Sequence, residues 1–108
     1  MTRSLSSAAL LAVLSLAQQA SARAEPAMSP AARKSLPADV VAYVDRRTGC
    51  NHWGGEDAYD ADRGRQIAAA VEKLGCDTID SDETRLRRRY GRDPAVLKAL
   101  EAAEQADG

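Results

Sequence analysis

Cys50 and Cys76 are the only cysteines in the chain. At most one intramolecular disulfide can form, and the compartment decides whether it does. The N-terminus speaks to the compartment. Arg3 gives a short positive start, and Leu5 to Ala17 is an uncharged small-and-apolar run (LSSAALLAVLSLA). Gln18 and Gln19 break it, and two small-x-small sites follow, Ala20-Ser21-Ala22 and Ala22-Arg23-Ala24. That order reads as a secretory signal peptide over residues 1–24, cleaved after Ala22 or Ala24. A membrane-spanning helix needs about 20 apolar residues, and this run is shorter. No cysteine stands near the cleavage sites for a lipid anchor. The expected home is periplasmic or secreted, where an even cysteine count reads as a disulfide rather than as two free thiols. In the chain-entropy view, closing this loop is worth about 3 to 4 kcal/mol. That is a large share of what so small a domain has.

Cleavage after Ala24 removes Arg3 and Arg23 from 15 Lys and Arg. It leaves 13 against 16 Asp and Glu, a net charge of −3. A mildly acidic exported chain has no global reason to bind nucleic acid. The length allows one domain with a thin core that needs a staple.

Residues 25–35 (EPAMSPAARKS) carry two prolines and no periodicity, and read as a flexible linker. The pattern then predicts about four short helices over residues 36–105. The first runs from about Pro37 to Arg47. Ser35 is its expected cap, Leu36, Val40 and Val44 form its apolar stripe, and Gly49 is its stop. The second runs from about Ala61 to Leu74, capped by Asp60 and ended by Gly75. Ile67, Ala70, Val71 and Leu74 form its stripe. The third runs from about Ser81 to Tyr90, with Asp80 and Glu83 as a box-like start. Asp93-Pro94 opens the fourth as cap and first residue, and Val96, Leu97, Leu100 and Ala103 face inward. The final EQADG is expected to fray. No segment alternates like a strand. The fold expected is an all-α small bundle with one disulfide, preceded by a signal peptide.

Joining Cys50 to Cys76 would place the ends of the first two helices side by side. A 14-residue helix is about 21 Å long. The chain after Cys50 would then return along the second helix to reach Asp60, within a reach of about 34 Å. Residues 51–59 are therefore expected to form an extended strap on that helix. Trp53 and Tyr59 would cover Ile67, Val71 and Leu74, and Gly54-Gly55 would give clearance.

The same stretch holds the only His and the only Trp of the chain, and its chemistry has several readings. His52 and Glu56 have the residue types of an acid/base pair, but no nucleophile is next to them in sequence. The structural reading is a histidine bonded to Glu56 that holds the segment in place. His52, Glu56, Asp57, Asp60 and Asp62 offer metal-ligand atoms. One His without free thiolates is a poor zinc set. A calcium loop started at Asp60 has Asp62 in place, but it puts Gly64 at the fifth position and Val71 at the twelfth. No metal site, catalytic residue or cofactor is expected. The basic run RLRRRYGR, residues 85–92, is expected to be a solvated helix face with Asp82–Arg85, Glu83–Arg87 and Arg89–Asp93 pairs. Its other reading is a basic surface of Arg87, Arg88 and Arg92 for an acidic envelope protein or anionic envelope polymer.

The pattern Cys50-x-His52-Trp53-x-Gly55-Glu56, then Tyr59-Asp60-x-x-Arg63, Cys76, and Leu86-x-x-x-Tyr90 resembles a group of small exported proteobacterial proteins. In these a first Cys is followed by a His-aromatic-x-Gly-Glu signature. The resemblance spans roughly residues 40–100. It implies a secreted or periplasmic home and a Cys50–Cys76 bond, and no reaction, ligand or partner. His52, Trp53, Gly55, Glu56, Tyr59, Asp60 and Arg63 form a candidate functional or structural cluster. The function expected is a protein-binding or interaction module of the cell envelope, with no membrane span after signal cleavage. The alternative is a small hydrolase or metal-dependent enzyme using His52 and Glu56.

Overall fold

The computed structural model describes residues 28–107, and the signal peptide expected over residues 1–24 lies outside them. The described chain forms five α-helices and one short 3-10 turn: α1 (Pro30–Ser35), α2 (Ala38–Gly54), α3 (Ala61–Leu74), the turn at Cys76–Thr78, α4 (Ile79–Arg89) and α5 (Pro94–Gln105). Among the described residues there is no strand. The all-α expectation holds, and the Cys50–Cys76 disulfide is formed, with its Cα atoms 5.7 Å apart.

Several helix ends are where local chemistry places them. Asp60 caps α3 by accepting from the Arg63 N–H at 2.7 Å. Gly75 ends α3 at φ 66°, a left-handed conformation that glycine adopts without strain. Asp93 caps α5, accepting from the N–H groups of Ala95 and Val96, and Pro94 stands at the first helical position, where it loses no hydrogen bond.

Other ends differ from expectation. Six residues of the segment read as a flexible linker form α1. Ser29 caps it, and Met28 is buried just before it. Ser35 does not cap α2; its hydroxyl donates back to the Ala32 carbonyl, and Pro37 takes the cap position. α4 begins at Ile79, two residues before the expected Ser81, and Ile79 is buried in the core. Asp80 does not cap that helix but accepts from Arg47 of α2 at 2.7 Å.

The largest correction is at Gly49, which does not stop α2. The helix runs on through Cys50 to Gly54. Gly49 serves a different need: a Cβ there would lie 3.0 Å from Leu74 Cδ1, so its absence lets α3 approach α2 closely. With residues 51–54 helical, no extended strap exists. α2 and α3 instead form an antiparallel pair joined by residues 55–60. Gly49 meets Leu74 near one end of α3, and Trp53 meets Arg63 near the other.

The core is built by α2, α4 and α5. Val40, Tyr43 and Val44 pack with Ile79, Leu86, Val96, Ala99, Leu100 and Ala103, all buried. Burying such side chains contributes about 1.5–3 kcal/mol each for the larger ones. The α3 stripe of Ile67, Ala70, Val71 and Leu74 is only half-buried, and α3 contributes no buried residue. Two arginines of α2 tie the layers. Arg46 reaches the end of α3 and Asp82 of α4. Arg47 donates to Asp80 and to the Tyr43 hydroxyl. Among the described residues no helix is long and apolar enough to cross a membrane.

Candidate functional site

The extension of α2 past Cys50 builds a polar cluster at the end of the α2–α3 pair. Asn51, His52 and Trp53 occupy its last turn, and the Gly55 N–H closes that turn on the carbonyls of Asn51 and His52. His52 lies between two carboxylates. Its Nε2 is 3.4 Å from Glu56 Oε1, and its Nδ1 is 3.2 Å from Asp107 Oδ1. A neutral imidazole can donate to only one of them, and an imidazolium donates to both.

Glu56 also accepts from Arg63 Nη2 at 2.9 Å through its other oxygen. The Arg63 guanidinium lies 5.2 Å from the centroid of the Trp53 ring and donates to Gln66 Oε1 at 3.0 Å. Held first by the Glu56 carboxylate, Arg63 titrates above its ordinary range. Its Nε is buried with no hydrogen-bond partner among the described residues. The guanidinium is thus fixed by a carboxylate, an amide and an aromatic face, an arrangement that holds the start of α3 against the end of α2.

Of the residues singled out by the sequence, the fold brings together His52, Trp53, Glu56 and Arg63. Gly55 and Asp60 stand beside them, as the end of α2 and the cap of α3. Tyr59 does not join: it is 78% exposed and covers none of the α3 stripe. Trp53 meets α3 at Arg63, in its first turn, and the Leu74 end of the stripe faces Gly49.

Two participants were missed. Asn51 donates through Nδ2 to the carbonyls of Ala103 and Ala106, both at 2.9 Å, and so terminates α5. Asp107 reaches His52 because the end of the chain turns back onto α2 and buries Ala106, instead of fraying. Asn51 had a signal. It continues the 40, 44, 47 spacing of the α2 inner face, so a polar residue there calls for a polar partner. Asp107 had none.

The contacts of the cluster join the end of α2 to the start of α3 and to Asp107. Both His52 nitrogens face carboxylates, and both cysteines are in the disulfide. Among the described residues no hydroxyl is hydrogen-bonded to the His52 ring, and no three His, Cys, Asp or Glu side chains are placed to share a metal ion.

The basic run forms a second candidate. Asp82–Arg85 and Glu83–Arg87 pair as expected, and Arg87 also approaches Glu104 at 3.7 Å. Arg89 does not pair with Asp93; it reaches Asp39 of α2 at 3.3 Å, beside the Tyr90 hydroxyl, which donates to the same carboxylate. Arg88 and Arg92 are exposed and make no ion pair among the described residues. Comparison of the chain with family models, curated proteins and solved structures finds no match.

Proposed function

We propose that the protein is an exported interaction module of the cell envelope, the exported home being what the resemblance of its cysteine-histidine signature implies. Its contact surface is the outer face of α4, and its partner is an envelope protein with an acidic surface. One observation carries this. Arg85, Arg88 and Arg89 lie on one side of α4 at i, i+3 and i+4, and Arg92 follows just beyond its end; all four are exposed. Arg85 and Arg89 remain 74% and 68% exposed despite their pairs, and Arg88 and Arg92 are unpaired among the described residues. An arginine face whose charges are only partly answered by its own chain favours a complementary acidic surface and forks onto carboxylates. The formed disulfide supports an oxidising home.

The test is photocrosslinking from position 88 in envelope extract, with an Arg88→Glu/Arg92→Glu variant alongside. A stoichiometric adduct mapping to an acidic segment of one protein is expected. Binding should weaken by about tenfold or more in the variant at unchanged helix content. No stoichiometric adduct, an adduct indifferent to charge reversal, or capture of an anionic polysaccharide instead would each sink the reading.

The second reading, a small hydrolase or metal-dependent enzyme, draws on the His52–Glu56 contact. His52→Ala and Glu56→Gln separate the two. A structural contact loses only stability, whereas an enzyme loses turnover or metal content while it stays folded.

A further inference from the structure

The Cys50–Cys76 bond joins elements that are otherwise unequally held. α2, α4 and α5 share the buried core, and α3 gives it no buried side chain. α3 packs chiefly against α2, with Gly49 meeting Leu74. Beyond that it is attached at its ends. Arg46 donates to the carbonyls of Leu74 and Gly75, and Arg63 bonds Glu56 under the Trp53 ring. Three residues after Cys76, Ile79 returns the chain to the core. Everything the core needs from this region is therefore anchored after the disulfide, and α3 lies inside the loop that it closes.

We propose that the disulfide is the catch of a detachable helix: its reduction releases α3 from α2 while α2, α4 and α5 stay packed. Neither cysteine residue is fully buried, and reduction proceeds by attack of a thiolate on one of the two sulfurs. A dithiol reductant forms a mixed disulfide with one cysteine. Its second thiol then displaces that cysteine. The reductant leaves as its own disulfide, and two electrons and two protons pass to the protein, leaving both cysteines as thiols. Once the loop is open, the half-buried stripe and the end contacts must hold α3 alone. Segments with few buried apolar contacts open first. The face uncovered on α2 carries Gly49, Trp53 and the Arg46 guanidinium.

Hydrogen exchange of the full chain, oxidised and after treatment with a dithiol such as dithiothreitol, tests this. Reduction is expected to lower protection of the α3 amides by about a hundredfold or more. The α5 amides from Leu97 to Ala103 should change by less than about threefold. The chain has a single tryptophan, so its emission should shift to the red on reduction and return on reoxidation. A Cys50→Ala/Cys76→Ala variant should reproduce the reduced pattern without reductant. Undiminished α3 protection after reduction overturns the proposal. So does loss of protection in α5 together with α3, in the reduced protein or in the variant, because the bond would then staple the whole domain.

Discussion

Arg46 donates from Nη2 to the carbonyl of Gly75 at 2.9 Å, across 29 residues of sequence. A helix leaves its last carbonyls without partners. Here an arginine from a neighbouring helix answers the one at Leu74, to which Nε donates at 2.9 Å, as well as the Gly75 carbonyl just beyond, and its remaining nitrogen takes Asp82 at 2.8 Å. One side chain thus joins α2, the end of α3 and the start of α4. Arg46→Met keeps the aliphatic stem and removes every donor. It is expected to cost about 2 kcal/mol in urea denaturation of the oxidised protein. Arg46→Lys should recover only part of this, because an ammonium cannot present the planar fork.

The approach of α3 to α2 gives a paired prediction at two glycines. A side chain at position 49 meets both Leu74 methyls, at 3.0 and 3.3 Å from the added Cβ. A Cβ at position 54 meets nothing within 4 Å. Gly49→Val should destabilise by about 1–3 kcal/mol through overpacking. Gly54→Ala should be neutral or stabilise by up to about 1 kcal/mol through helix propensity. Thermal melts of the two variants read the contrast. Equal effects would mean that Gly49 matters for helix propensity alone.

Asn51 is expected to control the end of α5. Asn51→Ala leaves the carbonyls of two buried residues, Ala103 and Ala106, without its amide. The expected loss is about 1–3 kcal/mol, with faster exchange confined to the last turn of α5. Asn51→Asp should be worse than Ala, because a carboxylate would then face carbonyl oxygens.

Asp82 supplies a dependence on pH. The Arg46 hydrogen bond, aided by the charge of Arg85, holds its carboxyl below the ordinary value of 3.8. A folded-state value lower than the unfolded one stabilises the fold above the ordinary carboxylate range. That contribution disappears as pH falls through the lowered value. Asp82→Asn should therefore be less stable than the parent near neutrality, and the gap should close on acidification below about pH 4. Denaturation midpoints measured across that range show it, and a gap constant with pH would refute it.

Legibility from sequence followed the range of each interaction. The start and end of α3 and the start of α5 were readable because Asp60, Gly75 and Asp93-Pro94 act on backbone groups within about one turn of themselves. The cluster of His52, Trp53, Glu56 and Arg63 was partly readable. It lies within a dozen residues, and the loop between α2 and α3 keeps it together. The error at Gly49 came from applying a local rule where a distant contact governs. Glycine after a basic pair resembles a helix stop, yet the helix continues because Leu74 needs the space and the turn beyond Cys50 finds partners in α3 and in the end of the chain.

By itself, then, the sequence determined an all-α chain, its one possible disulfide, the apolar stripes and the caps at Asp60 and Asp93, because each follows from periodicity or from groups a few bonds apart. Only the tertiary structure decided how long α2 is, that α3 stays outside the core, and that Arg46, Asn51 and Asp107 reach across the fold. Those outcomes depend on which helix ends and carbonyls become neighbours once the core of α2, α4 and α5 closes. No local pattern encodes that proximity.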